Sequence, residues 1–201
     1  LHFTNELLQD LTSNGVETLD VLLHVGAGTF KPVKADSMKD HDMHAERIKV
    51  SINTIEKLNQ QKKHRKIIPV GTTSTRTLES LYWMGVQIIE HRHQAGDFSV
   101  SQWEPYESKN NFTVDEALTA LINYAKQNEL DFIEGFTQII IAPGYEFKII
   151  DGLITNFHQP QSTLLLLVAA LIGNDWRKVY EHALQNNYRF LSYGDSSLLL
   201  P

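Results

Sequence analysis

Apolar positions recur at every second residue in some stretches of this chain and at helical spacing in others, and the switches mark its elements. From Asp151 to Val168 the sequence DGLITNFHQPQSTLLLLV begins as a strand at Leu153 and Ile154. It passes through Thr155, Asn156, Phe157 and His158, turns at Pro160 and re-enters structure at Ser162. Leu164 to Ile172 is nearly all apolar, which predicts a buried helix. Further helices are predicted from capping residues and apolar stripes. Thr4 caps one to about Ser13, closed by Asn14-Gly15. Asn53 with Glu56 reads as a capping box opening a helix to about Gln61, and Thr113 with Glu116 as another, to about Asn128. Asp175 to Asn186 completes the helical set. Strands are expected at Val16–Val25, Ile48–Ile52, Lys66–Val70, Phe136–Ala142 and, beyond Gly85, at Val86–Glu90. Phe147–Ile150 and Leu153–Phe157 flank Asp151-Gly152 as a hairpin would, while His91 to Asn111 reads as polar and irregular. Strands that alternate with helices place the chain in the α/β class, as a mixed sheet with flanking helices.

Several strands run into polar loops, the places where α/β proteins build ligand sites. His24-Val25-Gly26-Ala27-Gly28-Thr29-Phe30 carries glycines that permit close backbone approach, but a dinucleotide fingerprint would need a third glycine at Lys31. Gly71-Thr72-Thr73-Ser74-Thr75-Arg76 places hydroxyls and free N–H groups at a helix start, suited to an anion. Arg76 adds a bidentate donor for a carboxylate, or else pairs with Glu79 along the helix. In the central stretch, Asn156 and His158 either line a site or satisfy a tight turn, and Ser162 caps the helix that follows. His41, His44 and Glu46 suggest a metal, but the spacing is not that of HExxH, and a polar catalytic or structural cluster fits better. Near the end, Tyr188, Arg189, Tyr193 and Asp195 interleave aromatic and charged groups, which suits base stacking or the sealing of a core edge.

Composition narrows the field. Of 201 residues, 42% are hydrophobic and 21% charged, enough to build a core. The absence of cysteine excludes disulfides, thiolate nucleophiles and cysteine-ligated zinc, and fits a cytoplasmic protein. The longest apolar run is about half the ~20 residues a membrane-spanning helix needs. A net charge of -6 argues against a general polyanion binder, although Lys57, Lys62, Lys63, Arg65 and Lys66 form a local basic run or a solvated helix end. The chain starts at Leu1 rather than Met, as a fragment or a processed product would.

Taken together in order, HVGAGTFKPV (from His24), HDMHAE (from His41), VGTTSTRTLES (from Val70), PGYEFKIIDGLITNFHQPQSTLLLLV (from Pro143) and YRFLSYGD (from Tyr188) resemble the S-adenosylmethionine:tRNA ribosyltransferase-isomerase (QueA) family of queuosine biosynthesis. The resemblance implies that residues 1–201 are the C-terminal part of an α/β catalytic domain. The family's N-terminal segment and inserted β-barrel would be missing, and 91–135 would be an elaboration. It implies transfer and isomerisation of the ribosyl group of S-adenosylmethionine onto 7-aminomethyl-7-deazaguanine in a tRNA anticodon loop. Epoxyqueuosine would form, adenine and methionine would leave, and no metal or further cofactor would be needed. Gln159 where the family usually has Leu, and Ser196-Ser197 in place of Ala-Met, mark a divergent branch.

Such chemistry needs a base for a ribose proton beside the sulfonium, and His24, His44 and His158 are the candidates, with Glu46 to orient His44 or face the cation. Phe30, Tyr145 or Phe157 would flank the sulfonium. Thr72, Thr73, Ser74 and Arg76 would take the methionine carboxylate. Gly26, Gly28, Thr29, Thr155, Asn156 and Ser162 would line the site, and Tyr188, Arg189, Tyr193 and Asp195 would meet a base or phosphate. The rival expectations are a catalytically silent RNA-binding or interaction module, and a transferase that passes the group to another acceptor.

Overall fold

The computed structural model describes residues 3–24, 42–93, 97–108 and 112–201. In chain order they form α1 (Asn5–Ser13), β1 (Leu22–His24), β2 (Glu46–Ser51), α2 (Ile52–Gln61), α3 (Thr72–Ile89), β3 (Phe98–Val100) and α4 (Glu104–Glu107). There follow α5 (Val114–Gln127), β4 (Phe132–Thr137), β5 (Leu153–Asn156), α6 (Thr163–Ile172), α7 (Trp176–Gln185) and β6 (Ser196–Leu199). One sheet has the order β1-β2-β4-β3 and the other pairs β5 with β6. The larger sheet is mixed: β1 and β4 run antiparallel to β2, and β3 runs parallel to β4. The expected mixed α/β architecture therefore forms.

Period-two burial makes β2 a one-sided strand. Glu46, Ile48 and Val50 face inward while Arg47 is exposed. Against the inner face lies α3, buried along most of its length and flanked by α5. Their close approach explains Gly85. A Cβ there would stand 2.1 Å from the Ala117 carbonyl oxygen, so no larger residue fits the crossing. The glycine is a packing residue inside a helix, not a stop, and the strand expected at Val86–Glu90 is the last turns of α3.

Other boundaries also moved, each for a local reason. Ser51 rather than Asn53 caps α2, accepting from the Thr54 N–H at 3.1 Å. Only Leu22–His24 of the expected Val16–Val25 strand pairs, and Val25 lies outside the described residues. Lys66–Val70 makes a single bridge, Val70 to Ile154, because Pro69 has no N–H and the Ile67 N–H donates to the Asp151 carboxylate at 2.9 Å. That carboxylate also takes Lys62 at 2.7 Å, so Asp151-Gly152 ties the chain to a neighbouring segment instead of closing a hairpin. β5 pairs with β6, a strand the sequence pattern did not disclose. The Phe136–Ala142 strand shifts back to Phe132–Thr137, and Ile139, Ile140 and Ile141 are buried outside any strand. Within the stretch read as irregular, Phe98 and Val100 build β3 and Glu104–Glu107 turns into α4. The capping box of Thr113 and Glu116 stands as read, as do Thr4 on α1 and Ser162 on α6. No helix among the described residues is long and apolar enough to cross a membrane.

Candidate functional site

The N-terminus of α3 is where separate parts of the chain meet. Gly71 occupies the cap position with φ 96°, a conformation glycine adopts without the cost other residues bear, and no side chain caps the helix. A Cβ placed on Gly71 would meet no atom of the described residues within 4 Å, so the glycine is kept for its backbone conformation and not for lack of room. On one side the Gly71 N–H donates to the Ile154 carbonyl at 2.8 Å, and the Ile154 N–H donates to the Pro69 carbonyl at 3.0 Å. These bonds lock the start of α3 to β5. On the other side the Arg76 guanidinium reaches Glu46 at the start of β2, Nη1 to carboxylate at 2.9 Å, and donates Nε–H to the Ile139 carbonyl at 3.0 Å. Both members are buried, Arg76 at 4% exposure and Glu46 at 1%. Burial pulls the Arg76 pKa down and the Glu46 charge opposes it. Arg76 Nη2 is buried with no hydrogen-bond partner.

Beyond β5 the loop is tied inward. Thr155 Oγ1 and His158 Nε2 share a hydrogen bond at 2.9 Å, and the His158 N–H donates to the Tyr180 hydroxyl at 3.0 Å. Burial lowers the His158 pKa to about 4, so the imidazole is neutral at physiological pH. Asn156 donates its amide to the carbonyls of Gly194 and Asp195 at 3.1 and 3.3 Å, which joins β5 to the C-terminal loop. Ser162 Oγ accepts from the Leu165 N–H at 3.2 Å and donates to the Gln159 carbonyl at 2.8 Å.

Comparison with known proteins bears on this arrangement. The model of a family described as queuosine biosynthesis protein matches residues 1–199. The chain belongs to that family. Among curated relatives named S-adenosylmethionine:tRNA ribosyltransferase-isomerase, that of Desulfitobacterium hafniense is 41% identical over 202 residues and that of Novosphingobium aromaticivorans 43% over 203. Each match covers 100% of this chain and 47% of the relative, so the chain spans about half the length of the curated relatives it matches. A crystal structure of S-adenosylmethionine tRNA ribosyltransferase from Thermotoga maritima superposes with TM-score 0.61 at 30% identity, covering 98% of this chain and 50% of that one.

In this member of the queuosine biosynthesis family the residues singled out from sequence separate by placement. Thr72, Thr73, Ser74, Arg76 and Glu46 lie on or pair with the first turns of α3, and Thr155 and Asn156 lie on β5, which is joined to it, whereas Ser162 is engaged as the cap of α6. Arg76 pairs with Glu46, not with Glu79 along the helix. His44 is exposed two residues before Glu46. His24 is opposite Arg47 in the β1–β2 register and shares its outer face, away from Glu46. Tyr145 and Phe157 are embedded: the Tyr145 hydroxyl donates to Glu79 at 2.8 Å, and Phe157 lies among Tyr180, Tyr188 and Phe190. Arg189 is paired with Asp195 at 2.7 Å, while Tyr193 stands 87% exposed. Gly26, Gly28, Thr29 and Phe30, with His41, lie outside the described residues.

Sequence reading missed Glu79 and Tyr180. A carboxylate on the apolar α3 helix was the signal for Glu79. Its four donors, the N–H groups of Lys148, Ile149 and Ile150 and the Tyr145 hydroxyl, come from a distant segment. A polar cleft of about 560 Å³, lined by Gln87, Glu90 and Glu104 among others, lies at the other end of α3, ~20 Å away at 1.5 Å per residue. Among the described residues no group of His, Cys, Asp and Glu is arranged to hold a metal ion.

Proposed function

We propose that this chain carries the S-adenosylmethionine site of a tRNA ribosyltransferase-isomerase. The enzyme would move the ribosyl group of S-adenosylmethionine to 7-aminomethyl-7-deazaguanine in a tRNA anticodon loop, forming epoxyqueuosine and releasing adenine and methionine. The observation that carries this reading is the family match across residues 1–199, which takes in every polar corner gathered at α3. The relatives' names support S-adenosylmethionine and tRNA as substrates, the 7-aminomethyl-7-deazaguanine acceptor follows from the motif resemblance, and the geometry is consistent with the residue roles that follow.

The reaction asks for a base near neutral pH beside an acidic ribose proton. His158 suits that role poorly, because a buried imidazole with a pKa near 4 is a weak base already engaged with Thr155. It orients the loop and offers a neutral hydrogen-bonding edge. His44, exposed beside the buried Glu46–Arg76 pair, is the base in this reading. Thr155 and Asn156, held by β5, position the nucleoside, and the exposed Tyr193 meets the tRNA. The C-terminal loop and β5 share hydrogen bonds through Asn156, so an RNA bound at Tyr193 is mechanically joined to the site.

The test is adenine release from S-adenosylmethionine in the presence of tRNA bearing the 7-aminomethyl-7-deazaguanine precursor. Release that requires both substrates, and that falls at least a hundredfold in His44→Ala with an unchanged unfolding midpoint, is expected. Tight tRNA binding with no adenine release would instead make the protein a silent RNA-binding module. Release that is indifferent to the tRNA would assign it another acceptor.

A further inference from the structure

At the start of α3 the backbone N–H groups carry no side-chain cap. The helix is 18 residues long, and a Cβ on Gly71 would meet no atom of the described residues within 4 Å. Helix side chains lean toward the N-terminus, so Arg76, four residues after Thr72, directs its guanidinium back toward that end. Glu46 and the Ile139 carbonyl take Nη1 and Nε, which fixes the guanidinium plane and leaves Nη2 buried and without an acceptor. A buried charged donor lacking a partner is costly, and native proteins keep such groups where a water, ion or ligand completes them.

We infer that Arg76 Nη2 and the first N–H groups of α3 together bind the carboxylate of the amino-acid moiety of an S-adenosylmethionine-type ligand, with Glu46 as the residue that positions Arg76. The inference rests on the function proposed above and deepens it. A carboxylate fits better than a phosphate on charge grounds. Glu46 already neutralises much of the Arg76 charge, so the site accommodates a monoanion, whereas a dianion would face Glu46 across a few ångströms of low-dielectric interior. Thr73 and Ser74, both partly exposed on the first turn, add hydroxyls at the same end of the helix. Glu46 and Arg76 belong to elements 30 residues apart, and their pairing makes the orientation of the free nitrogen a property of the fold rather than of a mobile side chain.

The experiment compares two ligands that differ only in the carboxylate, S-adenosylhomocysteine and its decarboxylated counterpart S-adenosyl-3-thiopropylamine, by calorimetric titration of the full chain. The unaltered protein should prefer the carboxylate-bearing ligand by roughly tenfold to a hundredfold, the span of a charge-assisted hydrogen bond. Arg76→Lys keeps a cation beside Glu46 but loses the fork. The paired replacement Glu46→Leu with Arg76→Met removes both buried charges without stranding either. In each the preference should collapse to within about twofold, with affinity for the decarboxylated ligand little changed. A preference that survives both variants overturns the inference. Equal affinity in the unaltered protein overturns it too, while leaving the S-adenosylmethionine reading intact. Binding of neither ligand overturns that reading and the inference with it.

Discussion

Two buried charges on the same helix, one turn apart, are treated in opposite ways. Glu79 is closed: its oxygens accept the Lys148 N–H at 2.8 Å, the Ile149 N–H at 2.9 Å, the Ile150 N–H at 3.0 Å and the Tyr145 hydroxyl at 2.8 Å. Arg76 is open, with two nitrogens engaged and the third unpartnered. Burial pushes the Glu79 carboxyl above its ordinary pKa against the pull of those four bonds, and the neighbouring Tyr145 hydroxyl is driven well up by burial and by the Glu79 charge. Glu79 thus works as an internal anion that folds the 145–150 segment onto α3. Nothing further can bind to it. The contrast teaches that burial of a charge does not by itself mark a site. What separates scaffold from site is whether the protein satisfies the group completely.

The largest effect expected from this contrast is at Glu79. Glu79→Ala strands three backbone N–H groups and should cost about 3–5 kcal/mol in urea unfolding, as removal of one side of a buried charged network does. The paired Glu46→Leu, Arg76→Met variant should lose far less, within about 1–2 kcal/mol, because neither charge is left alone. Comparable losses in the two proteins would erase the distinction between closed and open charges.

His158 comes next. Its folded pKa of about 4 lies below the ordinary value of 6.5, so the unfolded chain takes up the proton first as pH falls. The stability it confers is therefore whole above pH 6.5 and lost between pH 6.5 and 4, by up to about 3 kcal/mol. Unfolding free energies measured across that window should slope downward toward acid in the unaltered protein and less steeply in His158→Gln. Parallel slopes would mean that this imidazole is not the buried neutral group described.

Scaffold substitutions sharpen the contrast with smaller effects. Gly85→Ala forces a methyl group against the Ala117 carbonyl and should cost about 1–3 kcal/mol through separation of α3 and α5. Ser162→Ala removes the α6 cap at about 1 kcal/mol. Thermal or chemical unfolding reads both losses. Neither change should alter the preference for a carboxylate-bearing nucleoside, and a shift in that ratio would show that the open site is not confined to the start of α3.

Much of the scaffold was legible where its cause is local. Thr4, Thr113 with Glu116, and Ser162 announce helix starts because the capping partner lies three residues away. The helix start after Gly71 was legible from the glycine and the hydroxyl residues beside it, although no side chain caps it and the expected strand before it makes only a single bridge. What stayed hidden depends on distant partners. β6 becomes a strand only because β5 offers it an edge, and Gly85 looks like a terminator until Ala117 is placed against it. Glu79 reads as a partner for Arg76 along the helix until the 148–150 N–H groups arrive from across the fold. Within the candidate site, Thr72, Thr73, Ser74 and Arg76 could be named from residue chemistry and spacing, whereas the role of Glu46 as the partner of Arg76 could not, since 30 positions separate them. The aromatic candidates Tyr145 and Phe157 carried the right chemistry for a sulfonium, but their rings pack into the core.

The central claim is that the free nitrogen of Arg76 is held in place for a ligand carboxylate, and a crystal structure of the chain with S-adenosylhomocysteine tests it most directly. The carboxylate is expected at the start of α3, one oxygen accepting from Arg76 Nη2 and the other from N–H groups of the first turn, with Glu46 still on Nη1. A carboxylate seated elsewhere, with Nη2 bound to the protein itself or to an ordered water in the presence of ligand, would contradict it.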